Sequence, residues 1–160
     1  MTTTSLIEIK NELKELNNQD LIKLILRLAK HKVENKELLG YLLFESTDQE
    51  AYVQKIFGEL NDQFHNINNN SYYLIKKSIR KIQRFTKKNI KYSQKKEIEV
   101  TIGIYFCKKI LQIKPSIRTN NAVMNILERQ VLSIRKSLIS LNEDLQFDFQ
   151  SALDRILKES

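Results

Sequence analysis

The chain has 160 residues, enough for one domain with a sizeable hydrophobic core. Its 41% apolar and 29% charged residues exclude intrinsic disorder, and three glycines with one proline leave too few turn formers for a sheet-rich fold. The single cysteine excludes an internal disulfide and favours a reducing compartment, while the net charge of +8 points towards an anionic partner.

From the N-terminus, the run from Met1 to Ser5 lacks the basic region and apolar stretch of a secretory signal. Leu6, Ile9, Leu13 and Leu16, at three- and four-residue spacing, predict a helix over 5–16. Asn17 or Asn18 caps a second helix, from about 19 to 33, with Asp20 in its first turn to complement the helix dipole. From Leu21 to Ala29 this helix is apolar almost all round, so it is expected to be the most buried element. Asn35 is expected to cap a third helix, with Leu38, Leu39, Leu42, Leu43 and Phe44 on its core side.

Thr47 and Glu50 fit a capping box that opens a helix to about Phe64, with Tyr52, Val53, Ile56, Phe57 and Leu60 inward. A polar loop over 66–70 leads to Ser71, which starts a basic helix; Ser93 starts another, running to about Ile113 and stopped by Pro115. Within the latter, Ile98, Val100, Ile102, Ile104 and Phe106 alternate with the period of a strand. No partner strand is in sight, so helix is expected there. Asn120 or Asn121 caps a long helix to about Leu141, and Asn142 caps the last, with Leu145, Phe149, Leu153 and Ile156 inward.

The expected fold is all-α: a single domain over 1–160 of about eight helices, arranged as an antiparallel bundle or a short irregular helical-repeat-like stack. Leu24, Ile25, Leu28, Leu42, Ile79, Ile82, Leu127 and Ile134 are expected in its core. No uncharged apolar run approaches the ~20 residues that span a bilayer, and a cytoplasmic protein off the membrane is expected.

The segment 21–46, LIKLILRLAKHKVENKELLGYLLFES, followed by 71–85, SYYLIKKSIRKIQRF, resembles a family of uncharacterised bacterial all-helical proteins. The likeness extends over roughly residues 6–110. It implies an all-helical fold and carries over no functional residue.

The charge is concentrated in the middle of the chain. Residues 71–119 hold 14 bases and 2 acids, whereas 1–70 hold 8 and 11, and 120–160 hold 5 and 6. Between Tyr72 and Lys96 stand ten bases and no acid. At 100° per residue, Lys76, Lys77, Arg80, Lys81, Arg84, Lys87, Lys88 and Lys91 fall on one arc of a helix, opposite Ile75, Ile79 and Ile82. The stripe is roughly 20 Å long. A lysine-rich, AT-biased composition explains abundant lysine, but not an arc without acids. None of the eight bases has an acid at i±4 to relieve repulsion, and Tyr73 stands in the middle of the arc, where it suits stacking.

The catalytic inventory is thin. His31 and His65 sit on different helices without metal-ligand spacing, Cys107 reads as a small core residue, and no phosphate loop or dinucleotide fingerprint occurs. The pairs Glu97/Glu99 and Glu143/Asp144 read as helix starts. No cofactor or metal is expected. The expectation is a non-enzymatic helical binding module whose face over 71–96 meets a polyanion, nucleic acid or an acidic protein; the alternative is a structural or protein–protein adaptor whose basic face is merely solvated.

Overall fold

A computed structural model of the protein describes residues 3–159. Among the described residues all regular structure is helical, as the sequence predicts: α1 (Leu6–Lys14), α2 (Asn18–His31), α3 (Val33–Gly40), a π-helical turn (Tyr41–Glu45), α4 (Gln49–His65), α5 (Tyr72–Ser93), α6 (Lys96–Leu111), α7 (Asn121–Leu138) and α8 (Glu143–Lys158). The chain divides into two compact units, one through Phe44 and one from Glu45 onwards.

Most helix starts follow from capping side chains. Asn17, Ser71, Asn120 and Asn142 each accept a hydrogen bond from the backbone N–H three residues on. Ser5 and Glu8 form a full capping box. The Ser5 backbone N–H, and then its hydroxyl, hold the Glu8 carboxyl below its ordinary value of 4.5. Three expected helix starts differ. Ser93 closes α5, and α6 begins after Lys95 without a capping side chain. Asp48, not Thr47, caps α4 by accepting from the Ala51 N–H at 3.0 Å. Asn35 lies inside α3 and instead donates its side-chain amide to the Leu28 carbonyl at 2.7 Å, tying α3 back to α2.

The N-terminal unit corrects a larger expectation. α3 packs on α2, yet no described side chain from Thr3 to Gly40 is buried. Leu24, Ile25 and Leu28 are 39%, 42% and 54% exposed, and Leu42 is 55% exposed. The apolar arc of α2 spans about 200° of the helix, and the eight-residue α3 is too short to cover it.

The second unit has the core. Its central element is α6, which contacts α4, α5, α7 and α8. Ile98, Val100, Ile102, Phe106, Cys107 and Ile110 are all buried and cover about 200° of α6, while Glu97, Thr101 and Lys108 line its outer side. The strand-like alternation reflects the width of that apolar arc: Ile104 and Tyr105 extend it onto the half-buried side, which leaves little 3.6-residue period in the pattern. At Gly103 a Cβ would lie 3.1 Å from Ile134 Cγ1 and 3.2 Å from Gln130 Nε2, so this glycine lets α6 and α7 approach closely. Ile79, Ile82, Leu127 and Ile134 are buried as expected. Around them, the Phe57 and Tyr105 rings stack at 3.9 Å, and the Tyr52 hydroxyl donates to the Asn89 carbonyl at 2.8 Å, fixing α4 against α5. Between α5 and α6 the chain reverses at Gln94, whose φ of 53° is the left-handed turn that ends α5.

Candidate polyanion-binding face

α5 supplies most of the site because its two sides differ so strongly. Ile75, Ile79, Ile82 and Thr86, spaced by four, three and four, are buried against the core. The Thr86 hydroxyl is satisfied by donating to the Ile82 carbonyl at 2.8 Å. The opposite side carries the basic stripe: Lys77, Arg80, Lys81, Arg84, Lys87 and Lys91 are exposed, while Lys76 and Lys88 are half-buried. Tyr73 is 74% exposed at the N-terminal end of the helix.

The tertiary structure divides this stripe. Arg80, Arg84 and Lys87 form one wall of a trough whose other wall is α7, with Ile126, Arg129, Gln130 and Ser133; the trough encloses about 300 Å³. It continues past Lys87, Gln130 and Ser133 into a second hollow of about 400 Å³, lined further by Ile90, Lys91, Lys95 and Lys96. Tyr73, Lys76, Lys77, Lys81 and Lys88 line neither hollow. Lys88 instead has its ammonium 5.9 Å from the centre of the Phe85 ring, on the far shoulder of α5.

The trough is electrostatically one-sided. Among the described residues its one acid, Glu99, is held by Lys96 at 3.0 Å and accepts from the Ser137 hydroxyl at 3.1 Å. Among the described residues no ion pair engages Arg80, Arg84, Lys87, Lys91 or Arg129. Converging like charges on two facing helices cost folding energy, and an anion in the trough would relieve that repulsion. With two Arg guanidinium forks on α5 and one on α7, the trough offers bidentate donors that match phosphate or carboxylate oxygens.

Arg129 was not visible as a site residue in the sequence, since its contribution comes from the packing of α7 beside α5. Lys95 and Lys96 stood in the acid-free run but off the arc of α5; the turn at Gln94 brings them to the trough's end.

The remaining candidates sit apart. His31 ends α2 and His65 ends α4, both exposed. Cys107 is wholly buried, and burial pushes its thiol up to about 12. Glu97 and Glu99 lie in the first turn of α6, and Glu143 and Asp144 in that of α8. Among the described residues no three of His, Cys, Asp and Glu cluster closely enough to hold a metal ion, and no helix is long and apolar enough to cross a membrane. A cleft of about 650 Å³ beside the C-terminal ends of α4 and α6 holds Asp62, His65, Lys109 and Lys114. Two of its polar side chains serve the fold: Asn61 accepts from the Tyr105 hydroxyl, and the Asn69 amide donates to the Lys114 carbonyl. No protein-family model, curated protein or solved structure matches this chain.

Proposed function

We propose that this protein is a non-enzymatic binding module that holds a polyanion, nucleic acid by preference, in the trough between α5 and α7. The observation that carries this reading is the set of five cations, Arg80, Arg84, Lys87, Lys91 and Arg129, which converge from two helices without an intramolecular counter-ion among the described residues. Such cations act as phosphate contacts that displace condensed counterions, so binding is sequence-tolerant and steeply dependent on salt. Among the described residues no aromatic side chain lines the trough, so affinity comes from the backbone of the ligand; Tyr73, about 10 Å along the helix from Arg80, is the residue to stack on an unpaired base.

With about five phosphates engaged, log K against log salt has a slope of about −4 to −5 on duplex DNA. Titrating a labelled 20-base-pair duplex and a single strand of equal length across salt concentrations checks this. Combined reversal of Arg80, Arg84 and Arg129 to Glu flattens the slope and abolishes binding at moderate salt, with the circular dichroism of the helices retained. Reversal of Lys77 and Lys81, which lie outside the trough, changes it far less. No binding at low salt, or a slope indifferent to the triple reversal, rejects the reading. Tight binding of polyglutamate in place of DNA makes the partner an acidic protein.

The adaptor reading has its own support, in the apolar side chains that residues 6–44 leave in water.

A further inference from the structure

We infer that the N-terminal unit is the interface between two copies of this chain, paired through antiparallel α2 helices. Ile22, Leu24, Ile25, Leu26 and Leu28 of α2 are each 39–57% exposed, and Leu6, Ile7, Val33 and Phe44 in the flanking segments are more exposed still. Leu24, Ile25 and Leu28 share one side of α2 and give an antiparallel pair its apolar seam, with Leu21 between them. The described segment from Thr3 to Gly40, without a buried side chain, is of the size that depends on association for its order.

Charge selects a second copy as the occupant. Residues 1–44 hold seven bases and six acids, whereas 45–160 hold 20 and 13. A two-fold interface sets each patch against its own image, which a strongly basic surface resists and a balanced one tolerates. Within α2 the balance is ordered: Asp20 and Arg27, seven residues apart, lie on the same flank of the helix, next to Leu24 and Leu28. Both are exposed, and among the described residues neither has an ion-pair partner. In an antiparallel pair about a two-fold axis near Leu24, the same flanks meet, so Asp20 of each copy comes to Arg27 of the other. One contact is thereby made twice. The antiparallel arrangement also opposes the two helix dipoles favourably.

Sedimentation velocity of the full chain over a wide concentration range tests this. The expected result is a reversible dimer. Leu24→Glu with Leu28→Glu gives a monomer whose helix content is retained, because both side chains are already half in water. Arg27→Asp raises the dissociation constant about tenfold or more by setting Asp20 against an acid, and Asp20→Arg does the same by setting it against a base. The double exchange Asp20→Arg with Arg27→Asp restores dimerisation. A chain that stays monomeric at every concentration, or a double exchange no better than either single one, overturns the inference; in the monomeric case a foreign protein or a lipid surface is the occupant of this face.

Discussion

Cys107 shows how completely position decides the chemistry of a residue. Lys108 and Lys109 follow it in the chain, but the side chain is wholly buried, and desolvation moves its thiol from 9.0 up to about 12. A thiol-directed reagent at pH 8 is therefore expected to leave the native protein unlabelled and to react in denaturant. The folded state keeps this proton between pH 9 and 12 while the unfolded chain loses it. The stabilisation is present in full below pH 9 and is lost as pH rises towards 12, and Cys107→Ala removes this part of the alkaline slope in a denaturation series. Gly103 is a second residue whose role lies in its surroundings: Gly103→Val forces atoms into the contact with Ile134 and is expected to cost about 1–3 kcal/mol in a urea titration.

At the scale of elements, two leucine- and isoleucine-rich helices of similar composition take opposite fates. Both α2 and α6 are apolar around most of their circumference. α6 becomes the centre of a five-helix packing, whereas α2 keeps its leucines half in water. Truncations separate the two. Phe106→Ala is expected to cost about 3–5 kcal/mol and Ile79→Ala about 2–5, as full burial and cavity formation dictate. Ile25→Ala in the monomeric Leu24→Glu/Leu28→Glu background is expected to cost about 1 kcal/mol or less, since its side chain is already 42% exposed. Equal losses at Ile25 and Phe106 in urea unfolding would contradict the assignment of α6 as the core helix.

At the scale of the whole molecule, the two proposals make a joint prediction. A dimer presents two troughs, so a long polyanion is held at two points and a short one at a single point. The monomeric Leu24→Glu/Leu28→Glu variant is expected to lose affinity for a long duplex by tenfold or more and to bind a ten-nucleotide strand as the parent does. Reversal at Arg80, Arg84 and Arg129 acts the other way: it abolishes binding and leaves the sedimentation coefficient of the dimer unchanged. Fluorescence anisotropy with the two lengths, run beside sedimentation, distinguishes these outcomes.

How much of this was legible beforehand follows from the range of the physics involved. Helix existence, the caps at Ser71 and Asn142, and the two-sided character of α5 depend on neighbours within a few residues, so the order of residues alone determined them, while at Asn17/Asn18 and Asn120/Asn121 it left two adjacent caps and the backbone took the first of each pair. The same is true of the burial of Ile79, Ile82, Leu127 and Ile134, which stand on stripes with a polar opposite side. At the start of α4 the capping-box pattern pointed to Thr47, and only the backbone geometry put Asp48 at the cap. Which apolar helix becomes the core was not a local matter at all, because α2 and α6 differ less in composition than in what packs around them. Nor was the trough: Arg129 stands 45 residues from Arg84 in the chain, and only the packing of α7 beside α5 turns a basic stripe into a walled site with a defined set of cations. Charge and hydropathy patterns travel with the chain, whereas the juxtaposition of distant charges exists only after the core has closed.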